Sequence, residues 1–542
     1  MNTLLSAVKI DDKVVRIVVN DRQLREVGED AVKALLAAND PPTLFQRGTI
    51  LTRVRLRDEA PSLQAMSDKM LQGRLAQVAN WFRRSSKKYV AVAPPMEVVS
   101  YVQNLPEWPD IPVLKALIEA PTFTKDGDLI TAPGYHPKAR LWLHCPTDLY
   151  KPVSLEPTNE EVAAARDLLL NDLLGDFPFV DDASRAHALA AMLLPFARDL
   201  IDGPTLLHAI DAPTPGTGKS LLAKIIAIPA TGHGPNVMTE ARDEDEWRKR
   251  ITAVLVKSPV FTLIDNVGQR LGSVQLSGVL TAEVWEDRIL GLSRTAVVPV
   301  RCVWLATGNN MSMSTEVARR VAPIRLDAEL EMPWHRRGFR HPNLPAWAIE
   351  NRGRLVLACL TLVQAWISRG RPLSTLEGPG SYERWTAVMG GILEVAGVPG
   401  FVANADTFYQ VADQESAEWR EFLAAWEERF GGQRVGVQDL YLWLVGTDGL
   451  LPEFLGDGST RSQRTKFGLA LRARRDRIIG RWRIRSAGED HSHRQLYQLE
   501  RLSEAERRPA DLSRPSRHPS SAEISLDLDR GEKVCEVSEV CS

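Results

Sequence analysis

The length of 542 residues predicts three to four domains at about 150 residues each, so a small disulfide-stapled fold is excluded. Hydrophobic residues make up 44% of the chain and charged residues 25%, which are ordinary globular proportions and exclude a fibrous or wholly disordered protein. The 67 basic and 69 acidic side chains give a formal net charge of −2, so any nucleic-acid-binding surface must be a local basic patch.

Cysteine usage and hydropathy predict a cytoplasmic protein that does not contact a membrane. The five cysteines are an odd number, widely scattered, and lack the paired C-x-x-C spacing of a zinc site, as expected in a reducing compartment. The N-terminus has no basic region followed by a long apolar run, which argues against a signal peptide. The most apolar stretches, residues 188–197 and 355–367, are shorter than the about 20 residues that span a bilayer.

Residues 1–155 are predicted to form an α+β domain of unknown role. A helical stretch at residues 65–82 lies among short β-like runs at residues 14–19, 48–56 and 89–92. Asp126-Gly127-Asp128 has the composition of a tight hairpin turn, although the same residues would suit the D-x-D metal pair of a primase. No later carboxylate or histidine partner supports the metal pair, so we favour the turn.

Strands and helices alternate between residues 206 and 326, which predicts an α/β core with a largely parallel sheet. The strand-like runs are residues 206–210, 237–238, 260–264, 300–306 and 323–326. A helical lead-in precedes them, because Thr158 to Glu161 has the spacing of a capping box and a second helix is predicted over residues 183–200. We place this core and its lead-in at residues 156–375.

A glycine-rich loop follows the first strand of the core and precedes a helical run. Residues 213–220 match the pattern G-x-x-x-x-G-K-[ST] except at the first position, where Pro213 replaces glycine. Backbone amides of such a loop bind phosphate oxygens, Lys219 can reach the β- and γ-phosphates, and Ser220 can ligate Mg²⁺. The predicted ATP-binding residues are Pro215, Gly216, Thr217, Gly218, Lys219 and Ser220. The alternative is a Gly-Pro turn that happens to precede a lysine.

Two later strands end in polar side chains that suit phosphoryl transfer. Asp265 ends the strand at 260–264, where P-loop enzymes place the carboxylate on the Mg²⁺ side, so Ser220 and Asp265 are the predicted metal ligands. Asn266 stands where many ATPases have a catalytic glutamate, and because an amide cannot accept a proton from water, hydrolysis needs another base, uses a water-orienting amide, or is slow. Asn309 follows the strand at 302–307, which is predicted to lie beside the P-loop strand, and could orient the attacking water.

Arg319 and Arg320 precede the apolar strand near residue 321. An arginine at this position could reach the γ-phosphate of a neighbouring subunit, and a surface arginine pair is the alternative. The predicted catalytic set is therefore Lys219, Asp265, Asn266, Asn309, Arg319 and Arg320.

These segments together resemble the AAA+ and superfamily-three helicase ATPases of phages and integrative elements. Residues 215–220 look like their Walker A motif, 263–266 like Walker B, 306–310 like sensor 1, and 318–320 like the arginine finger. The resemblance is best over residues 176–366 and departs from the family pattern at Pro213 and Asn266. It implies an AAA+-like P-loop NTPase fold that uses ATP and Mg²⁺.

The segment between the Walker B-like and sensor-like strands is predicted to be a β-hairpin. Two short apolar runs flank a Gly/Ser turn over residues 287–298. In the family that this chain resembles, the hairpin before sensor 1 projects into a central channel and contacts the DNA backbone. By that resemblance Arg294 is the candidate contact to single-stranded DNA, and a surface turn arginine is the alternative.

The C-terminal part of the chain carries a second, independent basic signal. The segment 461–494 holds eleven Lys and Arg against three Asp and Glu. Helical segments followed by an alternating hairpin at 482–499 predict a winged-helix-like module over residues 433–500. Its candidate duplex-DNA contacts are Arg464, Arg472, Arg475 and Arg483. A solvated basic helix or a wing that contacts a protein is the alternative.

Two further segments complete the domain plan, and two functions stay open. Residues 376–432 are predicted to be a helical linker. Residues 501–542, rich in Ser, Pro and charge, are predicted to be a disordered tail.

The resemblance implies an ATP-dependent DNA helicase or translocase of a mobile element or phage. It further implies a homo-oligomeric ring, expected to be a hexamer, and a separate primase is a further candidate partner. The second function is a non-unwinding ATP-switch protein, such as a helicase loader or origin-binding adaptor, in which Asn266 allows ATP binding with little turnover.

Overall fold

The structure is a computed structural model in which the chain divides into two compact units, residues 1–415 and 416–542. The described residues are 15–57, 60–86, 88–147, 149, 151–268, 270–289, 295–405, 407–408, 414–447, 459–491 and 494–503. Among them, every helix falls short of the length and apolar character needed to cross a bilayer.

The first unit begins with two small sheets and three helices around a shared core. Its elements are β1 (Val15–Val18), α1 (Leu24–Ala37), β2 (Leu44–Arg47), β3 (Ile50–Arg57), β4 (Ala60–Ala65), α2 (Asp68–Val78), β5 (Ala79–Ser85), β6 (Lys88–Ala91) and α3 (Met96–Gln103). The sheets have the orders β1-β5-β6 and β2-β3-β4. The helix predicted over residues 65–82 is shorter than expected, because Ala79 and Trp81 alternate into the core as part of β5, which pairs in parallel with β1.

Short strands follow this region and precede the helical lead-in to the α/β core. They are β7 (Ala116–Ile118), β8 (Thr122–Phe123), β9 (Leu129–Ile130), β10 (Gly134–His136) and β11 (Leu141–Leu143). The Asp126–Asp128 segment forms the tight turn between β8 and β9, with Gly127 at φ +94° and the Asp128 carbonyl accepting from the Thr124 amide at 2.8 Å. Among the described residues, no cluster of three or more His, Cys, Asp or Glu is arranged to hold a metal.

The helical lead-in begins at the predicted capping box. Thr158 accepts a hydrogen bond from the Glu161 amide, and the Glu161 side chain accepts one from the Thr158 amide, so the box is confirmed. The lead-in contains α4 (Asn159–Asp167), a π-helical turn (Leu168–Leu173), α5 (Asp182–Ala197) and a 3₁₀ turn (Arg198–Leu200). Nearly every residue of α5 is buried, which places this helix at the centre of the main hydrophobic core.

A five-stranded, fully parallel sheet forms the core of the unit, which confirms the predicted α/β class. Its region contains β12 (Leu207–Ala212), α6 (Lys219–Thr231), β13 (Asn236–Thr239), α7 (Glu244–Lys257), β14 (Phe261–Val267), α8 (Val274–Thr281), β15 (Val284–Arg288), β16 (Thr295–Pro299), β17 (Val303–Asn309), α9 (Thr315–Ala318) and β18 (Val321–Arg325). The strand order is β13-β14-β17-β12-β18. Separate hydrophobic clusters cover the two faces of the sheet, as expected for parallel strands joined by helical crossovers.

The predicted hairpin is present outside this sheet. Strands β15 and β16 pair in antiparallel register from Val284 with Pro299 to Arg288 with Thr295. The connecting residues 290–294, with the candidate Arg294, lie outside the described residues.

Helices complete the first unit after β18. A 3₁₀ turn (Pro333–His335) is followed by α10 (Leu344–Glu350), α11 (Arg352–Ser368) and α12 (Glu383–Val395). The buried faces of α11 and α12 join the core around α5 and α6, so α6, which follows the glycine-rich loop, is packed on several sides.

The second unit has the helix and hairpin content expected of a winged-helix-like module. Its elements are α13 (Gln414–Phe430), β19 (Val435–Gly436), α14 (Val437–Val445), α15 (Thr460–Ala473), β20 (Ile478–Ile479), β21 (Trp482–Glu489) and β22 (Gln495–Arg501), with sheet order β19-β22-β21-β20. Helix α13 falls within the stretch predicted to be a linker. It packs Trp419, Phe422 and Trp426, which are spaced along one helical face, into the core of this module.

Candidate nucleotide-binding and catalytic site

The glycine-rich loop lies at the carboxyl edge of the parallel sheet, between β12 and the first turn of α6. Gly216 and Gly218 have φ values of +76° and +102°, a backbone region that residues with a side chain rarely adopt. Trp334 lies against Gly216, where an added Cβ would come within 2.8 Å of the indole Cε3. The two glycines are therefore required by the loop conformation, and at Gly216 also by this contact.

Lys219 and Asn309 meet at this edge because β12 and β17 are neighbouring parallel strands, as predicted. Ala212 pairs with Asn309 in the sheet register. The Lys219 ammonium donates to the Asn309 side-chain oxygen Oδ1 at 2.6 Å and to the Thr214 backbone oxygen at 3.3 Å. Partial burial lowers the pKa of Lys219, and the nearby Asp211 carboxylate opposes that change. The ammonium is thus held half-buried at the loop, within reach of the side chain at the end of β17.

Ser220 and Asp265 lie together on the other side of the loop. The Ser220 hydroxyl donates to Asp265 Oδ1 at 3.0 Å, and the Thr307 hydroxyl donates to the same oxygen at 2.6 Å. These are hard oxygen ligands, and Mg²⁺ is commonly held by one or two such protein groups plus substrate phosphates, so the pair fits the predicted ion. The role of Thr307 was missed, although its polar side chain in an otherwise apolar strand was a visible signal.

Asn266 lies beside Asp265 at the tip of β14. Its backbone has φ +56°, its side chain is exposed, and its amide donates to the Thr307 hydroxyl oxygen at 2.9 Å. The neighbouring strand β13 pairs Thr239 with Asp265, which places Glu240 at the adjacent strand tip. The Glu240 carboxylate accepts a hydrogen bond from the Gly268 amide at 3.1 Å. The sequence analysis did not identify Glu240, because its position depends on strand order.

An ion pair near Lys219 was also missed. Asp211 at the end of β12 pairs with Arg325 at the end of β18, and Arg325 donates to the Asn310 side-chain oxygen at 2.9 Å. Burial raises the pKa of Asp211, which the Met311 amide and Arg325 oppose. Asp211, Asn310 and Arg325 line a cavity of about 490 Å³. The register of β12 with β18 brings these side chains together from positions far apart in the sequence.

The two candidate finger arginines have different environments. The Arg319 side chain is 57% exposed and lies 3.2 Å from Glu316 Oε2. The Arg320 side chain is only 11% exposed, donates to the Glu316 backbone oxygen and lies 3.2 Å from the same carboxylate. Only Arg319 of this pair presents its guanidinium to solvent, where a neighbouring subunit could meet it.

The candidate DNA-binding arginines of the second unit also differ. Arg464 and Arg472 are exposed on α15, and Arg475 is exposed just beyond it, 3.5 Å from Asp476. Arg483 lies on the hairpin, is largely covered and lies 3.6 Å from Glu500 Oε2. The helix thus displays the accessible positive charge of this set, while the charge of Arg483 is partly compensated.

No family model matches the chain, and no curated protein matches it. The A-form apo structure of the NrS-1 C-terminal region aligns over 86% of this chain and 98% of its own, at 10% identity and TM-score 0.34. A second apo structure of that region aligns over 87% and 98%, at 12% identity and TM-score 0.32. SCCmec type IV Cch, described as an active helicase, aligns over 84% of this chain and 91% of its own, at 10% identity and TM-score 0.35.

Proposed function

We propose that this chain is an ATP-dependent DNA helicase or translocase of a mobile genetic element or phage replication system, and that it acts as a homo-oligomeric ring. The observation that carries the proposal is one sheet edge where three groups meet: the glycine loop, Lys219 bound to Asn309, and Ser220 bound to Asp265. Phosphoryl transfer depends mainly on such positioned charges and donors.

Each side chain at the edge has a role in this proposal. The loop amides and Lys219 bind the phosphates of ATP, and Asn309 orients the attacking water beside the γ-phosphate. Ser220 and Asp265 hold Mg²⁺, which when bound neutralises charge on the phosphate oxygens. Arg319 acts on the ATP of a neighbouring subunit, while single-stranded DNA contacts the hairpin around Arg294 and duplex DNA contacts the second unit.

Substitution of the P-loop lysine tests the proposal. Lys219→Ala removes the ammonium that contacts the phosphates, so ATPase activity and strand displacement should both fall by at least 100-fold in the full chain. Lys224→Ala is the matched control, because Lys224 is exposed on the same helix one turn beyond the loop. Equal activity of the Lys219 and Lys224 variants would refute the nucleotide site.

A second candidate function is favoured by Asn266. An exposed amide at this position cannot accept a proton from water, which suits a non-unwinding ATP-switch protein such as a loader or origin-binding adaptor. Strand displacement measured beside DNA-stimulated ATPase activity separates the two functions. ATP and DNA binding without displacement would favour the switch protein.

A further inference from the structure

Two neighbouring strand tips at the nucleotide site carry an amide and a carboxylate. Strand β13 ends beside β14, with Thr239 paired to Asp265, so the next residues along the two strands are Glu240 and Asn266. The carboxylate that Asn266 lacks is therefore present one strand away, at the same edge of the sheet.

The backbone at Glu240 is held in place by several contacts. Arg250 on α7 donates to the Thr239 carbonyl oxygen at 2.8 Å and to the Glu240 carbonyl oxygen at 3.1 Å. The Gly268 amide, just beyond β14, donates to Glu240 Oε2 at 3.1 Å. These bonds fix the strand tip and turn the carboxylate toward the end of the Asp265 strand.

The neighbouring carboxylates have other roles. Asp265 accepts from Ser220 and Thr307 on the metal side, and Asp211 is paired with Arg325. Glu244 accepts from the Ser273 hydroxyl at 2.9 Å and from two amides at the start of α8, at 3.1 Å each. Glu240 is half-buried, follows the residue that pairs with Asp265, and accepts from the Gly268 amide just beyond β14.

We propose that Glu240 is the general base of ATP hydrolysis in this chain, supplied by β13 in place of a carboxylate at Asn266. The water oxygen bonds to the γ-phosphorus, the Glu240 carboxylate takes the water proton, and the bond from the γ-phosphorus to its bridging oxygen breaks to release ADP and phosphate. Asn266, which cannot take the proton, is left to orient the water by hydrogen bonding. This inference rests on the proposed ATPase function.

The conservative variant Glu240→Gln tests the assignment, because glutamine has nearly the same shape and can still accept from the Gly268 amide. Turnover of ATP by the full chain should fall by roughly 100-fold or more, while the Kd for ATP with Mg²⁺ stays within about twofold. Asp245→Asn is the matched control, since Asp245 is an exposed acid in the first turn of α7. Wild-type turnover in Glu240→Gln would overturn the inference.

Moving the carboxylate to the neighbouring strand tip gives a second readout. The double variant Asn266→Glu, Glu240→Gln should turn over ATP at least tenfold faster than Glu240→Gln alone. A loss of activity caused by a structural defect at residue 240 would not be reversed by a carboxylate at residue 266. Different results would contradict the helicase proposal and the assignment of Glu240 as general base. Activity that disappears in Lys219→Ala but persists in Glu240→Gln removes only the base assignment, and a wild-type chain that binds ATP without hydrolysing it removes the assignment together with the helicase proposal.

Discussion

Thr307 illustrates how one buried hydroxyl can organise a site between two strands. It donates to Asp265 Oδ1 at 2.6 Å and accepts from the Asn266 amide at 2.9 Å. The Asp265 carboxylate and the backbone of the following residue are thus held by the same hydroxyl group. Because the side chain is fully covered, loss of the hydroxyl leaves a polar group without its partner.

We predict that Thr307→Val, which keeps the shape but removes the hydroxyl, raises the Mg²⁺ concentration needed for half-maximal ATPase activity by about tenfold. It should also lower the free energy of unfolding by about 1–3 kcal/mol, the cost of an unsatisfied buried polar group. Thr307→Ser retains the hydroxyl and should preserve most of both properties. A Mg²⁺ titration of the three proteins checks this, and overlapping curves would show that Asp265 is positioned without Thr307.

At the scale of elements, helix α5 is tied to the sheet through a buried histidine. His187 Nδ1 lies 2.7 Å from the Pro323 carbonyl oxygen, and Nε2 accepts from the Val402 amide at 3.2 Å. Nδ1 therefore carries the proton of a neutral ring, and a second proton on Nε2 would break the bond to Val402. Burial lowers the pKa of His187 from 6.5 to about 4.

The pKa of His187 predicts a loss of stability in acid. His187 binds a proton near pH 6.5 in the unfolded chain and only near pH 4 in the folded chain. The contribution of the neutral His187 ring to the free energy of unfolding is therefore complete above pH 6.5 and is lost as pH falls toward 4. The loss is on the order of 3 kcal/mol. Calorimetry at pH 7 and pH 5 should show a lower unfolding midpoint at pH 5, and His187→Gln, which can keep both hydrogen bonds, should show a smaller decrease. The same decrease in the variant would assign the effect to other groups.

Substitutions of arginines on helix α15 and on the hairpin of the second unit are expected to affect DNA binding differently. Arg464 and Arg472 are exposed on the helix, whereas Arg483 on the hairpin lies beside Glu500. Arg464→Ala with Arg472→Ala should weaken duplex binding and lower the slope of log affinity against log salt by about 0.9 per lost phosphate contact. Arg483→Ala should change the slope less. Unchanged affinity and slope in the double variant would assign this helix to a protein partner.

Site residues that belong to a local sequence pattern could be predicted, whereas those that meet only through contacts distant in the sequence could not. The glycine-rich loop is a local pattern, and the placement of Asn309 needed only the prediction that its strand adjoins β12, which the sheet register confirms. Glu240 and Arg325 act across strand pairs whose order the sequence does not encode locally. Arg319 and Arg320 differ in burial because of the single turn that follows α9. Two adjacent arginines look equivalent in the sequence, so this difference could not be predicted from it. The roles of the residues that were identified stay predictions.

At the scale of the whole molecule, a ring would make each site depend on two chains. The Arg319 guanidinium is exposed, so it is available to a neighbour, whereas Arg320 is covered and bound to Glu316 in its own chain. Arg320→Ala should therefore lower the unfolding midpoint, while Arg319→Ala should leave it unchanged and lower ATPase activity. This difference makes Arg319 the suitable residue for a test of sharing between subunits.

Mixing two inactive proteins tests the shared site directly. Lys219→Ala subunits keep Arg319, and Arg319→Ala subunits keep the P-loop, so an interface between them in one orientation contains both groups. In an equimolar random ring roughly a quarter of the interfaces have this arrangement, and we expect ATPase activity to recover in proportion. Lys219→Ala mixed with the double variant Lys219→Ala, Arg319→Ala serves as the control, since no subunit in that mixture retains Lys219 and no interface can contain both groups. Absence of recovery at every ratio, with mixed oligomers demonstrated by pull-down of differently tagged chains, would place the catalytic arginine within the same subunit as the ATP.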